Sequence, residues 1–198
     1  MPTKLLLPKQ QYLAAGIHIG MKQRTEQMRE FIYRIREDGL AVLDLKTIDE
    51  RIGIAAKFLA KYDKILAISR KAVAKESIEK FAEAVDAKAI TTRFMPGTLT
   101  NPTYKNFYEA DVIIVADPLV DIQALQEAVK ARVPIIGVCD TLNETKDIDL
   151  IIPANNKGKK SLAILFWLLA REVLKERKEI SSDKEFKYEI DDFGKEIE

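Results

Sequence analysis

Six short apolar runs punctuate the middle of the chain: Ala41-Val-Leu-Asp-Leu45, Ile65-Leu-Ala-Ile-Ser69, Lys88-Ala-Ile-Thr-Thr92, Val112-Ile-Ile-Val-Ala116, Ile135-Ile-Gly-Val-Cys139 and Leu150-Ile-Ile152. Runs of this kind suit strands covered on both faces, as a parallel sheet requires. Between most of them the apolar positions recur with helical spacing. Thr47-Ile-Asp-Glu50 predicts a capping box, in which hydroxyl and carboxylate each satisfy a free N–H of the first turn. Behind it Ile48, Ile52, Ala55, Ala56, Leu59 and Tyr62 share one helical face. A second helix presents Ala74, Ile78, Phe81, Ala82 and Val85, and a third presents Ile122, Leu125 and Val129. The last, from about Lys159 to Lys178, is apolar nearly all round at first and amphipathic later, so its first turns are expected to be the most buried.

This alternation predicts an α/β fold: a Rossmann-like or flavodoxin-like three-layer sandwich with a mainly parallel sheet and right-handed crossovers. The pattern does not give the strand order. Residues 1–40 stand apart as a basic segment, Arg-rich and interleaved with aromatics, expected to pack helical elements on the core and to hold no strand before Ala41. Residues 41–178 form the α/β domain. Residues 179–198, with acidic groups in excess, predict a loosely ordered tail.

Composition narrows the class. A hydrophobic share of 47% in 198 residues supports one real core and excludes a disordered basic protein. Charged residues make up 32% yet balance at +1, so the sum says little about partners until the distribution is read. Cys139, the single cysteine, lies inside an apolar run, where burial is expected to make it inert. The three-leucine run near the N-terminus is too short for a signal peptide, and Leu162 to Ala170 is about half the roughly 20 residues of a membrane span. A soluble, cytoplasmic protein without membrane contact is expected.

An enzyme on this fold would bind its ligand beyond the carboxyl ends of the strands. Asp44, Asp117 and Asp140 fall there and have the chemistry for a divalent cation or a phosphoryl group. Asp117 precedes Pro118 and Asp140 precedes Thr141, however, which are settings for turns and helix caps. No Gly-x-Gly-x-x-Gly follows any strand. Pro153-Ala-Asn-Asn-Lys-Gly-Lys-Lys-Ser161 departs from a P-loop at its first glycine and at Lys160, where a hydroxyl belongs. Lys157, Lys159 and Lys160 at that helix start remain either a phosphate seat or a solvated charged cap. His18 is the only histidine, so neither a two-histidine metal site nor a histidine triad beside a second histidine can be assembled. Gly16 and Gly20 around it suggest close backbone approach.

Lys22, Arg24, Arg29, Arg34 and Arg36 are interleaved with Phe31 and Tyr33, a combination that serves phosphate oxygens and exposed bases; with Glu26, Glu30 and Glu37 among them, a solvated face has the same look. The loop Arg93-Phe-Met-Pro-Gly97-Thr-Leu-Thr-Asn101-Pro102 is long and rich in hydroxyls and turn formers, at the end of a predicted strand.

Together these segments resemble the S-two family of small-subunit ribosomal proteins. Leu13-Ala-Ala-Gly16-Ile-His18-Ile-Gly20 matches the family's Ala-Gly-x-His-x-Gly signature, and Arg36-Glu-Asp-Gly39 with Leu43-Asp-Leu-Lys-Thr47 follows it. Pro96-Gly-Thr-Leu-Thr-Asn101, Ala110 to Pro118, Pro134 to Thr141 and Ile151-Ile-Pro153-Ala-Asn155-Asn156 continue the match in order over about residues 8–175. The long helical hairpin that bacterial members insert after the Thr-Asn element is missing between Asn101 and Asp111, and the eukaryotic C-terminal extension is missing too; the resemblance is to archaeal members.

The resemblance implies a structural constituent of the small subunit, bound to small-subunit rRNA and to neighbouring ribosomal proteins. It implies no catalytic residue, metal, cofactor or small-molecule substrate. It points the basic groups toward RNA: Lys22, Arg24, Arg29, Arg34, Arg36, Arg93, Thr98, Asn101, Lys157, Lys159 and Lys160. The near-neutral charge suggests a peripheral, salt-sensitive attachment. A phosphotransfer enzyme or hydrolase using the three aspartates, and a free regulatory RNA-binding protein, are the rival readings.

Overall fold

The computed structural model describes residues 5–194; residues 1–4 and 195–198, which belong to the predicted basic segment and tail, lie outside it. The chain opens with α1 (Lys9–Ala15), a short helix closed by Gly16 at φ +69°. An antiparallel pair follows, β1 (Ile32–Ile35) and β2 (Ala41–Leu43), joined by a turn with Gly39 at φ +84°. Then come α2 (Leu45–Leu59), β3 (Ile65–Ile68), α3 (Ala72–Val85), β4 (Lys88–Ile90), β5 (Val112–Val115), α4 (Ile122–Ala131), β6 (Ile135–Cys139), β7 (Leu150–Pro153) and α5 (Lys159–Glu176).

Strands β3 to β7 form one parallel sheet in the order β4-β3-β5-β6-β7. Counted along the sheet's own strands this is 2-1-3-4-5, the flavodoxin-like order, whose direction reverses between β3 and β5. Alternate residues serve opposite faces. Ile65, Ala67, Val112, Ile114, Ile136 and Val138 join the core under α2, α3 and α5. Leu66, Ile68, Ile113, Val115 and Ile135 join a second core under α4. No helix joins β4 to β5 among the described residues; the loop between them covers that face with Phe94, Leu99 and Ala110. Ser161 to Phe166 of α5 are all buried, as the all-round apolar pattern predicts.

Three local expectations are corrected. Ala41–Leu43 does not enter the parallel sheet but pairs with Ile32–Ile35, where no strand was expected. A three-residue apolar run satisfies a small hairpin as readily as a buried strand, and only the partner decides. Helix α2 starts at Leu45, before the Thr47 box: Asp44 caps it, accepting from the Lys46 N–H and, at 2.9 Å, from the Thr47 hydroxyl. In α4 the packed face is Ala124, Leu125 and Ala128, while Ile122 and Val129 are 56% and 45% exposed.

Segments near both ends of the described chain pack on this core. Asp49 of α2 accepts from the Tyr12 hydroxyl and from the Leu6 N–H, and buried Arg171 of α5 donates to the Leu6 carbonyl. At the other end Phe193 is fully buried beside α3 and α5, with Ser77 donating to its carbonyl at 2.8 Å. Trp167, Phe186, Tyr188 and Phe193 form a chain of ring contacts over α5.

Candidate nucleic-acid interface

The crevice between β3 and β5 is where this strand order places a ligand. Here side chains of the protein fill it. Lys71 pairs with Asp117 and donates to the Asn156 carbonyl at 3.1 Å. Asn143 donates to Asp117 at 2.9 Å and accepts from Asn156 Nδ2 at 3.0 Å and from the Asp140 N–H at 2.8 Å. Asp117, Asp140, Asn143 and Asn156 are all buried. Burial pushes the Asp140 carboxyl up, and one of its oxygens, Oδ2, has no hydrogen-bond partner among the described residues. Burial, with the charges of Asp117 and Asp140, also pushes the Cys139 thiol up, which keeps it protonated and unreactive.

The rival enzyme needs Asp44, Asp117 and Asp140 around one open pocket. Asp44 instead caps α2, Asp117 is neutralised by Lys71, and Asp140 holds the Thr141 N–H. No group of three metal-ligating side chains occurs among the described residues.

The basic groups lie outside the crevice, on a strap laid over the carboxyl ends of β6 and β7. Thr141 fastens it: its hydroxyl accepts from the Met21 N–H at 2.9 Å and donates to the Gln23 carbonyl at 3.0 Å. The Thr25 N–H donates to the Thr141 carbonyl at 2.9 Å, and Asn155 holds the Gly16 and Ile17 carbonyls. Gly20 passes so close beneath Thr141 that a Cβ there would sit 2.5 Å from its methyl. The sequence reading of close backbone approach thus has a definite cause.

With its back pinned, the strap turns its cations outward. Lys22, Arg24, Arg29, Arg34 and Arg36 are all exposed. Arg24, Arg29 and Arg34 line one concavity, and Arg34 and Arg36 line the next. Arg29 is paired with Glu26 at 3.0 Å and Arg36 with Asp38 at 3.3 Å, exposed contacts worth little against a phosphate. The pairing of β1 with β2 is irregular between Ile32 and Arg34, and Tyr33, at that irregularity, stands 72% exposed. Lys9 and Lys46 join Arg34 and Arg36 around the second concavity, and sequence reasoning missed them. They come from α1 and α2, and nothing in the order of residues signals that these helices flank the hairpin.

The α5 start is a partly used seat. Asn155 Oδ1 accepts the Lys157 and Gly158 N–H groups at 3.0 and 3.2 Å, so those two donors are taken. Lys159 is paired with Glu76 at 3.2 Å, while Lys157 and Lys160 are exposed. Lys160 also borders α1, which brings this turn beside the strap.

The 93–102 loop is wound around Glu127 of α4. That buried carboxylate accepts from the Gly97 N–H at 2.8 Å, the Leu99 N–H at 3.1 Å, the Thr100 hydroxyl at 3.3 Å and Gln123 at 3.0 Å. Thr98 is buried and donates to the Met95 carbonyl at 2.6 Å, so its hydroxyl serves the loop itself. Arg93 and Asn101 are exposed, Asn101 closing a turn onto Thr103. Nothing among the described contacts joins them to the strap.

Fold and surface define a class: a flavodoxin-like domain with its ligand crevice filled and a cationic strap presented outside it. The family description "Ribosomal protein S2" matches residues 12–107 and 104–176. The Small ribosomal subunit protein uS2 of Thermoplasma acidophilum is 48% identical over 199 aligned positions, covering all of both chains. The protein of the same name from Picrophilus torridus is likewise 48% identical over the whole of both chains. That of Staphylothermus marinus is 52% identical over 88% of this chain and 80% of its own. The chain belongs to the ribosomal protein S2 family, and these relatives are archaeal, as the missing hairpin led us to expect.

Proposed function

We propose that this chain is a structural constituent of the small ribosomal subunit, bound there to rRNA and to neighbouring ribosomal proteins, and that it catalyses no reaction of its own. The observation that carries the reading is family membership over nearly the whole chain, joined to a surface of matching chemistry. The Arg24, Arg29, Arg34 and Arg36 guanidiniums are exposed, Arg24 on the stretch that Thr141 and Asn155 fasten from behind and Arg34 on the strand paired with β2. Guanidinium forks so held meet phosphate oxygens at small entropic cost. Lys157, Lys159 and Lys160 extend that surface past Gly16, and Arg93 with Asn101 offers a second, separate contact.

A formal charge of +1 sets the expected strength. A chain embedded in rRNA needs a large positive excess, whereas one with cations gathered on a strap suits a peripheral seat in the cytoplasmic ribosome. Attachment then depends on counterion release and weakens with salt. No described helix is long and apolar enough to cross a membrane.

Mass spectrometry across a sucrose gradient of native lysate, run at low and at high salt, tests the reading. One copy per small subunit at low salt, with partial release at high salt, is expected. Recovery only at the top of the gradient would overturn the assignment and reopen the free RNA-binding reading.

A further inference from the structure

The cavity between α1, the β1–β2 hairpin and the first turn of α2 has a volume of about 700 Å³. That lies within the range of sites that enclose a small organic group. Leu13 and Leu43 give it an apolar lining, and the aromatic residues Tyr33 and His18 line its wall. Burial and the Arg36 charge hold the His18 imidazole below its ordinary 6.5, so at neutral pH it is uncharged.

The rim is cationic. Lys9, Arg34 and Lys46 surround the opening, and none of the ion pairs found among the described residues engages them. The single carboxylate in the wall, Asp44, is spent on the Lys46 N–H and the Thr47 hydroxyl. An apolar, aromatic interior inside a ring of cations matches a group with flat apolar faces, a polar edge and negative charge on either side. A nucleotide within an RNA strand has this form: the base stacks inside, and the phosphates before and after it meet the rim.

We propose that this cavity receives one unstacked nucleotide of the RNA the chain binds, its base packed against Tyr33, His18 and Leu13 and its flanking phosphates on Lys9, Arg34 and Lys46. The proposal rests on the reading of the chain as an rRNA-bound constituent and adds to it a base-accepting site. The strap arginines, by contrast, serve phosphates alone.

Ultraviolet crosslinking of native small subunits, with the adducts located by mass spectrometry, tests this on the unaltered protein. A nucleotide adduct on Tyr33 or His18 is expected. Chemical probing of the rRNA compares subunits carrying the wild-type chain with subunits carrying Leu13→Trp. Leu13 is 43% exposed on α1, so the indole fills the mouth of the cavity without entering the core. One base protected by the wild-type chain should become reactive in the variant, and the fraction released at a fixed intermediate salt should rise several-fold. The proposal is overturned if the protein sediments with the subunit while adducts fall only outside the cavity and no base changes reactivity. A peptide of a neighbouring protein crosslinked to Tyr33 overturns it equally and makes the cavity a protein contact. Absence of the chain from the subunit would overturn the ribosomal reading itself, a different and recognisable result.

Discussion

Glu127→Ala removes the carboxylate around which the 93–102 loop is wound. The side chain is buried and receives four hydrogen bonds, two of them from the Gly97 and Leu99 backbone. Hydrogen bonds to a charged acceptor contribute about 1.5–3 kcal/mol each, and a buried donor left unpaired costs about 1–3 kcal/mol. Leu99 lies inside the second core, where water does not reach its N–H, whereas the Gly97, Thr100 and Gln123 donors recover hydration. Relief of burying the carboxylate offsets part of the loss. The net expectation is a destabilisation of about 3 kcal/mol, with Glu127→Gln, which keeps one acceptor oxygen, losing about half of that. Burial acts to raise the Glu127 carboxyl, but the bonds from Gly97, Gln123, Leu99 and Thr100 outweigh it and leave it below its ordinary 4.5. A folded-state pKa below the unfolded one gives stability that is complete above 4.5 and lost as pH falls through the lower value. The deficit of the variant should therefore narrow in acid. Urea denaturation followed by the fluorescence of Trp167, the single tryptophan, reads the stability, and hydrogen exchange reads the Gly97 and Leu99 amides. A variant within about 0.5 kcal/mol of wild type, with both amides still protected, would refute the account of how this loop is held.

Burial raises the Asp121 carboxyl to about 6, and its Oδ2 has no hydrogen-bond partner among the described residues. Because the folded state holds that proton above the ordinary 3.8, this group makes stability fall as pH rises from 3.8 to about 6. Asp121→Asn should abolish that fall, gaining up to about 3 kcal/mol at pH 7 and nothing below pH 3.8; equal stability of the two proteins at pH 7 would refute it. Phe193→Ala empties a fully buried ring site between α3 and α5 and should cost about 3–5 kcal/mol in urea denaturation, with faster exchange over residues 186–194. Arg24→Ala with Arg34→Ala should leave the melting temperature unchanged and lower the slope of log affinity against log salt for subunit binding by about 1.5. An unchanged slope would take these two residues off the phosphates.

Much of this architecture was legible in the chain. The strands at Ile65, Val112 and Ile135 are apolar and buried at every position, as strands covered on both faces require, while the edge strand at Leu150 is only half-buried at its first two residues. The buried positions of α2 and α3 could be read off because a helix on a sheet buries one stripe. In α4 the same rule found Leu125 but put Ile122 and Val129, which are exposed, in place of Ala124 and Ala128. The Thr47 box marked the start of α2 too late: in the folded turn Asp44 is the cap, and the Thr47 hydroxyl donates to it.

The sequence by itself determined the fold class, the family motifs in their order and the inventory of cations, since each is written in local spacing or in residue identity. The tertiary structure decided what those residues do together. Lys71, Asp117, Asn143 and Asn156 lie far apart in the chain, and their meeting in the β3–β5 crevice is a consequence of strand order, which no local pattern encodes. The same holds for Lys9, Arg34 and Lys46 around one cavity, and for Thr141 clamping the strap that turns the arginines outward. Local spacing fixes which face of an element is apolar. Which elements become neighbours is settled only when their faces are buried against one another, and the proposed interface is made of those neighbours.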